Sequence, residues 1–275
     1  MFISKKRTGK NGLQPRTKAS STAAKKKLEK TKTKDDTKEE KGSNRSRKNI
    51  KARSKPSARN ATRSTRPQTG ASRFVDTTVT KGINGLRQDF ANKRRGNDQN
   101  EMRAFIDNAP MGRNRYKDVG CLDASRVILR NYPTDYIHAN YVSTPMNPKR
   151  FICTQGPLDA TCPDFWCMII QENVESILML CNIVEKGAKK CAEYFPANQG
   201  QSLTFGRFTV RNVSMTMFDF GMQTTAKVRQ SKIEVLQDGM MKMTTTHYHW
   251  VDWPDRGVPI ADLAVVHLLE RIRAR

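Results

Sequence analysis

The first seventy residues hold 23 Lys+Arg against 5 Asp+Glu, a net of +18, and almost no large apolar side chains. Phe2, Ile3, Leu13, Leu28 and Ile50 are nearly the whole apolar stock of that stretch. Such a segment cannot bury enough surface to offset the entropy of ordering its backbone. Residues 1–75 therefore read as a disordered Lys/Arg/Ser/Thr-rich tail, and any packed core is confined to residues 76–275. The later part has the composition of an ordinary globular domain, carrying only +6 of the formal +24 (27 basic and 21 acidic residues over 71–275). A length of 275 residues suits one domain plus such a tail.

The tail contains short basic clusters at Lys5-Lys6-Arg7, Lys25-Lys26-Lys27 and Arg45-Ser46-Arg47-Lys48. Three readings stand side by side: a solvated tail with no dedicated partner, contact with an import receptor, or weak, salt-sensitive, non-specific contact with nucleic acid. Aromatic residues for base stacking are missing, and Asp35-Asp36 and Glu39-Glu40 interrupt the basic run, which counts against the last. No apolar run is long enough to span a membrane, and the N-terminus lacks the apolar region of a secretory signal. The expected address is cytoplasmic or nuclear, where the sequons at Asn60 and Asn212 carry no sugar. There the six cysteines (121, 153, 162, 167, 181, 191) are expected as free thiols. No spacing suggests a zinc site, and neither metal nor cofactor is expected.

Ile83, Leu86, Phe90 and Ala91 lie at helical spacing and predict a helical region early in residues 79–107. Short strands are predicted at 126–129, 136–142 and 150–154. A helix is predicted over 159–173, with Thr161 as N-cap and Pro163 in its first turn. The apolar run 176–180 suits a fully buried strand. Alternation over 203–214 and 225–236 predicts antiparallel strands, and Asp238-Gly239 a tight turn into a strand over 240–250. Residues 261–275 read as a final helix with apolar Leu263, Val266, Leu268, Leu269 and Ile272. The order implies an α/β (α+β) fold with the sheet in the middle.

Six blocks along residues 80–275 carry a more specific signal. They are Asn114-Arg115-Tyr116-Lys117-Asp118-Val119, Asp135-Tyr136-Ile137-His138-Ala139-Asn140-Tyr141, Thr154-Gln155-Gly156-Pro157-Leu158, Asp164-Phe165-Trp166-Cys167-Met168, Lys190-Cys191-Ala192-Glu193-Tyr194-Phe195-Pro196 and Trp253-Pro254-Asp255-Arg256-Gly257-Val258-Pro259. Each is weak alone. In this order they resemble the catalytic domain of the cysteine-dependent, phosphotyrosine-specific protein tyrosine phosphatases. The resemblance implies a central twisted mixed sheet flanked by helices, and phosphotyrosine-containing proteins as partners.

It also implies a chemistry. A thiolate held among backbone N–H groups and an arginine attacks the phosphate monoester, and a carboxylic acid protonates the departing phenolate. Asp255 matches that acid, and its loop, begun by Trp253, would close over substrate and exclude water. Tyr116 would stack on the substrate ring in a slot too deep for phosphoserine, and Asp118 would hold the peptide backbone. Lys190 matches the substrate-binding lysine near the acid loop and phosphate, and Glu185 a carboxylate that buttresses the phosphate-binding arginine. Gln155, Phe165 and Trp166 match scaffold positions. Read without the resemblance, Asp255 and Asp118 are turn residues, Tyr116 a half-buried loop aromatic, and Glu185 and Lys190 a surface ion pair.

The pattern then fails. The family nucleophile lies in a His-Cys-x-x-Gly-x-x-Arg loop downstream of the acid loop, and no His-Cys pair occurs here. His138, His247, His249 and His267 are followed by Ala, Tyr, Trp and Leu, and Cys191 lies upstream and reads as a buried structural thiol. The expectation is a truncated domain, without nucleophile or phosphate-loop arginine and inactive as it stands. The absent strand would be central in the sheet, so unpaired backbone and exposed apolar surface are expected, with marginal stability. Gly120, where the family often has Pro, and His138, where it often has Asn, are smaller departures. Two other readings remain: a non-catalytic phosphotyrosine- or protein-binding relative, and a nucleic-acid-associated protein acting through its tail.

Overall fold

The computed structural model describes residues 2–5, 69–93 and 98–273. The chain divides into two units. Among the described residues, one holds a long helix, and the other holds the short N-terminal strand together with residues 98–273. Apart from Lys5, the basic clusters and their partner readings lie outside the described residues.

The first unit's helix, α1 (Gly70–Ala91), starts at Thr69, whose side chain accepts from the Ser72 N–H at 3.1 Å. It kinks at Gly82, which takes φ 61°, a conformation open to glycine. The predicted apolar spacing does produce a helix, but none of its residues is buried, and Ile83 and Phe90 are about 70 % exposed. The expected boundary at residue 76 falls inside this helix.

The second unit is built on a nine-stranded mixed sheet. After a short helix α2 (Arg103–Asp107), strands β2 (Arg126–Ile128), β3 (Tyr136–Thr144) and β4 (Asn147–Thr154) form an antiparallel meander. Helix α3 (Cys162–Gln171) then leads into β5 (Val174–Met179), and β6 (Val184–Glu185) and β7 (Ala188–Lys189) make a separate small hairpin. Strands β8 (Ser202–Phe205), β9 (Phe208–Met217), β10 (Val228–Gln237) and β11 (Met240–Trp250) complete the sheet before α4 (Ala264–Arg273). With the N-terminal strand β1 (Phe2–Lys5) included, the sheet order is β2-β3-β4-β1-β5-β11-β10-β9-β8, with β5 and β11 parallel.

The N-terminal strand β1 (Phe2–Lys5) is the main departure from expectation. It lies antiparallel between β4 and β5, with Ile3 opposite both Ile152 and Ile177. The segment read as wholly disordered thus supplies a central strand. The unpaired backbone expected at mid-sheet is paired here from the N-terminal end. A second correction concerns residues 203–214, which are two strands folded back at Gly206 (φ 58°) rather than one run.

Period-two alternation gives each face of the sheet its own core. Ile177 and Met179 of β5 pack with Phe165, Trp166, Met168 and Ile169 of α3, while Leu178 between them packs with Ala264, Leu268 and Ile272 of α4. The helices therefore cover opposite faces. Thr161 caps differently from expectation: its hydroxyl accepts from Leu158 N–H at 3.0 Å in the 3₁₀ turn ahead of α3 and makes no cap bond to α3 itself. Leu263 just before α4, and Val266 and Leu269 on it, are exposed, so only part of the predicted apolar set faces the core.

Candidate active site

The acid-loop block begins directly after β11. Trp253 packs edge-on against Trp250, with ring centroids 5.2 Å apart, and this anchors the loop to the α4 side of the sheet. Gly257 N–H donates to Pro254 O at 3.2 Å and closes a turn around Asp255, with Arg256 at φ 57°. A Cβ on Gly257 would stand 2.8 Å from Pro254 Cβ, so this turn requires glycine.

Lys190 follows the β6–β7 hairpin, whose reversal uses Lys186 (φ 50°) and Gly187 (φ 78°). The Lys190 ammonium lies 3.4 Å from the Asp255 carboxylate, with the two side chains 22 % and 27 % exposed. The hairpin loop is tied to the acid loop a second time, because the Asn182 side-chain amide donates to Val251 O at 2.9 Å. Glu185 accepts from Asn182 N–H at 2.8 Å and so holds the loop from within.

Tyr116 and Asp118 lie on an exposed loop that is fastened at both ends. Upstream, the Arg115 guanidinium donates to Gly156 O (3.0 Å), Pro157 O (2.7 Å) and Lys189 O (3.3 Å). Gln155 accepts from Arg115 N–H and donates to Arg113 O, both at 2.9 Å. Downstream, His138 Nε2 is 2.9 Å from Val119 O, so that nitrogen carries the proton. A Cβ on Gly156 would meet Lys190 O at 2.9 Å and Cys191 Sγ at 3.1 Å, and this close approach presses the Gly156 turn against the Lys190 segment.

Three sequence-distant blocks therefore converge on Lys189–Lys190. The Tyr116–Asp118 loop reaches it through Arg115, and the acid loop through Asp255. Among the described residues, no hydrogen bond or ion pair joins Tyr116 or Asp118 to Asp255. Sequence reading missed Arg113 and Arg115. Arg113 pairs at 2.5 Å with buried Asp164 of α3, whose carboxyl is pushed up by burial and held back by the guanidinium. Arg115 lies in a recognised block and Arg113 directly before it, and that was the only available signal. Gln155, read as packing, works as a strut for the Tyr116 loop. Phe165 and Trp166 are buried as expected, and Trp166 donates from its indole N–H to Tyr194 O at 2.8 Å. A concavity of about 590 Å³ lies elsewhere, among Glu175, Lys232, Gln230 and four Ser/Thr side chains.

Residues 110–275 match the family profile described as protein-tyrosine phosphatase. The chain belongs to this family. Tyrosine-protein phosphatase non-receptor type 9 of Rattus norvegicus is 30 % identical over 206 residues, 74 % of this chain and 34 % of that protein. Tyrosine-protein phosphatase non-receptor type 2 of Homo sapiens is 35 % identical over 161 residues, 58 % of this chain and 38 % of its own length. This family member thus spans between a third and two fifths of those two relatives. Among solved structures, the catalytic domain of human protein tyrosine phosphatase non-receptor type 18 is similar at a TM-score of 0.55 and 28 % identity, covering 62 % of this chain and 61 % of that one. A structure of the same phosphatase addressing distinct HER2 tyrosine phosphorylation sites gives 0.56 at 26 % identity, covering 74 % of this chain and 67 % of its own. The mixed sheet between helices is the phosphatase fold. No described helix is long and apolar enough to cross a membrane.

Proposed function

We propose that this chain serves phosphotyrosine-protein dephosphorylation and that residues 1–275 carry the acid and substrate-recognition part of that chemistry. Asp255 is the general acid, Tyr116 and Asp118 receive the phosphotyrosine and its peptide backbone, and Lys190 and Glu185 support the acid loop. The observation that carries this reading is the convergence on Lys189–Lys190, where the Lys190–Asp255 contact of 3.4 Å meets the Arg115–Lys189 bond. A partly exposed carboxylate beside a lysine suits proton delivery to a departing phenolate. The complexes of PTPN18 with HER2 phosphopeptides are consistent with phosphotyrosine proteins as partners.

Residues 1–275 contain no His-Cys-x-x-Gly-x-x-Arg sequence, so they hold neither the family nucleophile nor its arginine. Cys191 is no substitute, because it is fully buried and its thiol is pushed up by its neighbour Cys181 and by burial. These residues by themselves are therefore inactive. A cytoplasmic or nuclear address is part of the same proposal.

The test is hydrolysis of p-nitrophenyl phosphate and of a phosphotyrosine peptide by residues 1–275, alongside the intact mass of the protein from its source. No turnover is expected, with Asp255→Ala indistinguishable from the parent. Should the native protein be longer and contain the phosphate-loop sequence, the same substitution in that chain should slow turnover by about 10²–10⁴-fold. Turnover by the longer chain that Asp255→Ala leaves untouched would remove Asp255 from the mechanism.

A further inference from the structure

Two of the six cysteines stand apart from the rest. Cys181 and Cys191 flank the loop that carries Glu185, the β6–β7 hairpin and Lys190, and the fold closes that loop on itself. Lys190 N–H and Cys191 N–H both donate to Ile183 O, at 2.8 and 3.3 Å, which brings the backbone beside Cys191 to within two residues of Cys181. Cys191 is fully buried in the α3-side core, and partly buried Cys181 packs against the same cluster. Each thiol acts on the other's titration, lowering Cys181 and raising Cys191. Cys181 is further fixed through its carbonyl, 3.0 Å from His249 Nε2. Both are free thiols in this structure.

From this arrangement we infer that Cys181 and Cys191 form a redox-active pair that a hydroperoxide converts to a disulfide, closing a covalent ring around residues 182–190. The polarity of the pair supports an order of events. Hydrogen bonding from Cys191 holds the Cys181 thiol below its usual range, while Cys191 itself is pushed up, so the more accessible sulfur is also the better thiolate. The Cys181 thiolate attacks a peroxide oxygen, the O–O bond breaks, and water leaves with Cys181 as the sulfenic acid. The Cys191 sulfur then attacks that sulfenic sulfur, and the hydroxyl departs as water with the proton of Cys191. Two thiols are oxidised and one hydroperoxide is reduced, to two waters in the case of hydrogen peroxide. The other cysteines lack this geometry: Cys121 hydrogen-bonds to Ala139 O and Cys162 to Leu158 O, and burial pushes both thiols up to about 11.

The bond would hold Asn182, Glu185 and Lys190 in one covalent loop. Any consequence for the acid rests on the role proposed above for Asp255, whereas the bond itself does not.

The experiment treats the full chain with hydrogen peroxide, blocks remaining thiols by alkylation, and digests with trypsin and Glu-C. That digestion separates Cys181 and Cys191 onto peptides with one cysteine each. A linked Cys181–Cys191 peptide, reversed by dithiothreitol, is expected to exceed any other cysteine pairing by about tenfold. In Cys191→Ser, Cys181 should instead advance to sulfinic acid. Because the bond is mapped in the unmutated protein, poor folding of a variant cannot mask the result. Oxidation of both sulfurs to sulfinic acid without a linked peptide, or preferential linkage of Cys181 to Cys153, Cys162 or Cys167, would overturn the inference. Either result leaves the Asp255 assignment to its own test.

Discussion

At the scale of single residues, the buried polar pairs carry the largest consequences. Arg113 is partly exposed, but its partner Asp164 is buried in α3, 2.5 Å away. Removing the guanidinium leaves a buried carboxyl without its counter-charge, so Arg113→Ala should cost about 3–5 kcal/mol, read as a lower urea midpoint at unchanged slope. A loss below 1 kcal/mol would mean that water reaches Asp164. His247 sets a pH dependence. It is fully buried, stacks on Phe195 with ring centroids 4.0 Å apart, and lies 2.5 Å from the Tyr194 hydroxyl. Burial lowers it from 6.5 to about 3, and His249 is lowered as well. The unfolded chain therefore binds more protons than the folded one between those values, and stability should fall as pH drops from about 6.5 toward 3. His247→Gln can still meet Tyr194 and should flatten that part of the curve. Melting temperatures across the acid range that respond identically in both proteins would assign the slope to carboxylates.

At the scale of elements, loops meet through close backbone approaches. Gly156 lies against Lys190 O with no room for a Cβ, 2.9 Å from where one would sit. Gly156→Ala must push the Lys190 segment away and should cost about 1–3 kcal/mol, with altered amide exchange at Lys190 and Cys191 as the local signature. Exchange unchanged at both amides would place the cost elsewhere. The Lys190–Asp255 contact is a different matter. Both groups are about a quarter exposed, so a double-mutant cycle should give a coupling of less than about 1 kcal/mol; in the role proposed for Asp255 the contact would orient the carboxylate more than it stabilises the fold. Most element boundaries were legible in the sequence. The 176–180 run is the buried β5, and Asp238-Gly239 is the β10–β11 turn with both residues at positive φ. The β8–β9 reversal was missed because Gly206 alone, within a sustained alternation, looks like a strand glycine.

At the scale of the whole molecule, sheet continuity depends on four residues. Strand β1 joins the β2–β4 meander to the strands beyond β5, and Ile3 pairs on both sides. Ile3→Pro withdraws one ladder donor from mid-sheet and should cost about 3 kcal/mol, with faster amide exchange at both Ile152 and Ile177. Unaltered exchange at those two positions would detach β1 from the sheet. The exposed Val266 and Leu269 on α4, with Val258, Ile260 and Leu263 before it, are apolar surface that should make the purified chain prone to aggregate. A sharp, reversible melt at high concentration would count against this.

The sequence by itself determined the family, the mixed fold, most strands and the identity of the candidate acid, because these depend on local pattern and on short blocks in a fixed order. Tertiary structure alone decided that Arg115, Lys190 and Asp255 serve one place, since their partners lie 74 and 65 positions apart along the chain. It also decided that Gln155 is a strut, that Cys181 meets Cys191, and that a basic N-terminus contributes a central strand. Composition ranks a four-residue segment by its neighbours along the chain. Strand pairing depends on which backbone groups are left open in space, and that is settled only once β4 and β5 are in place.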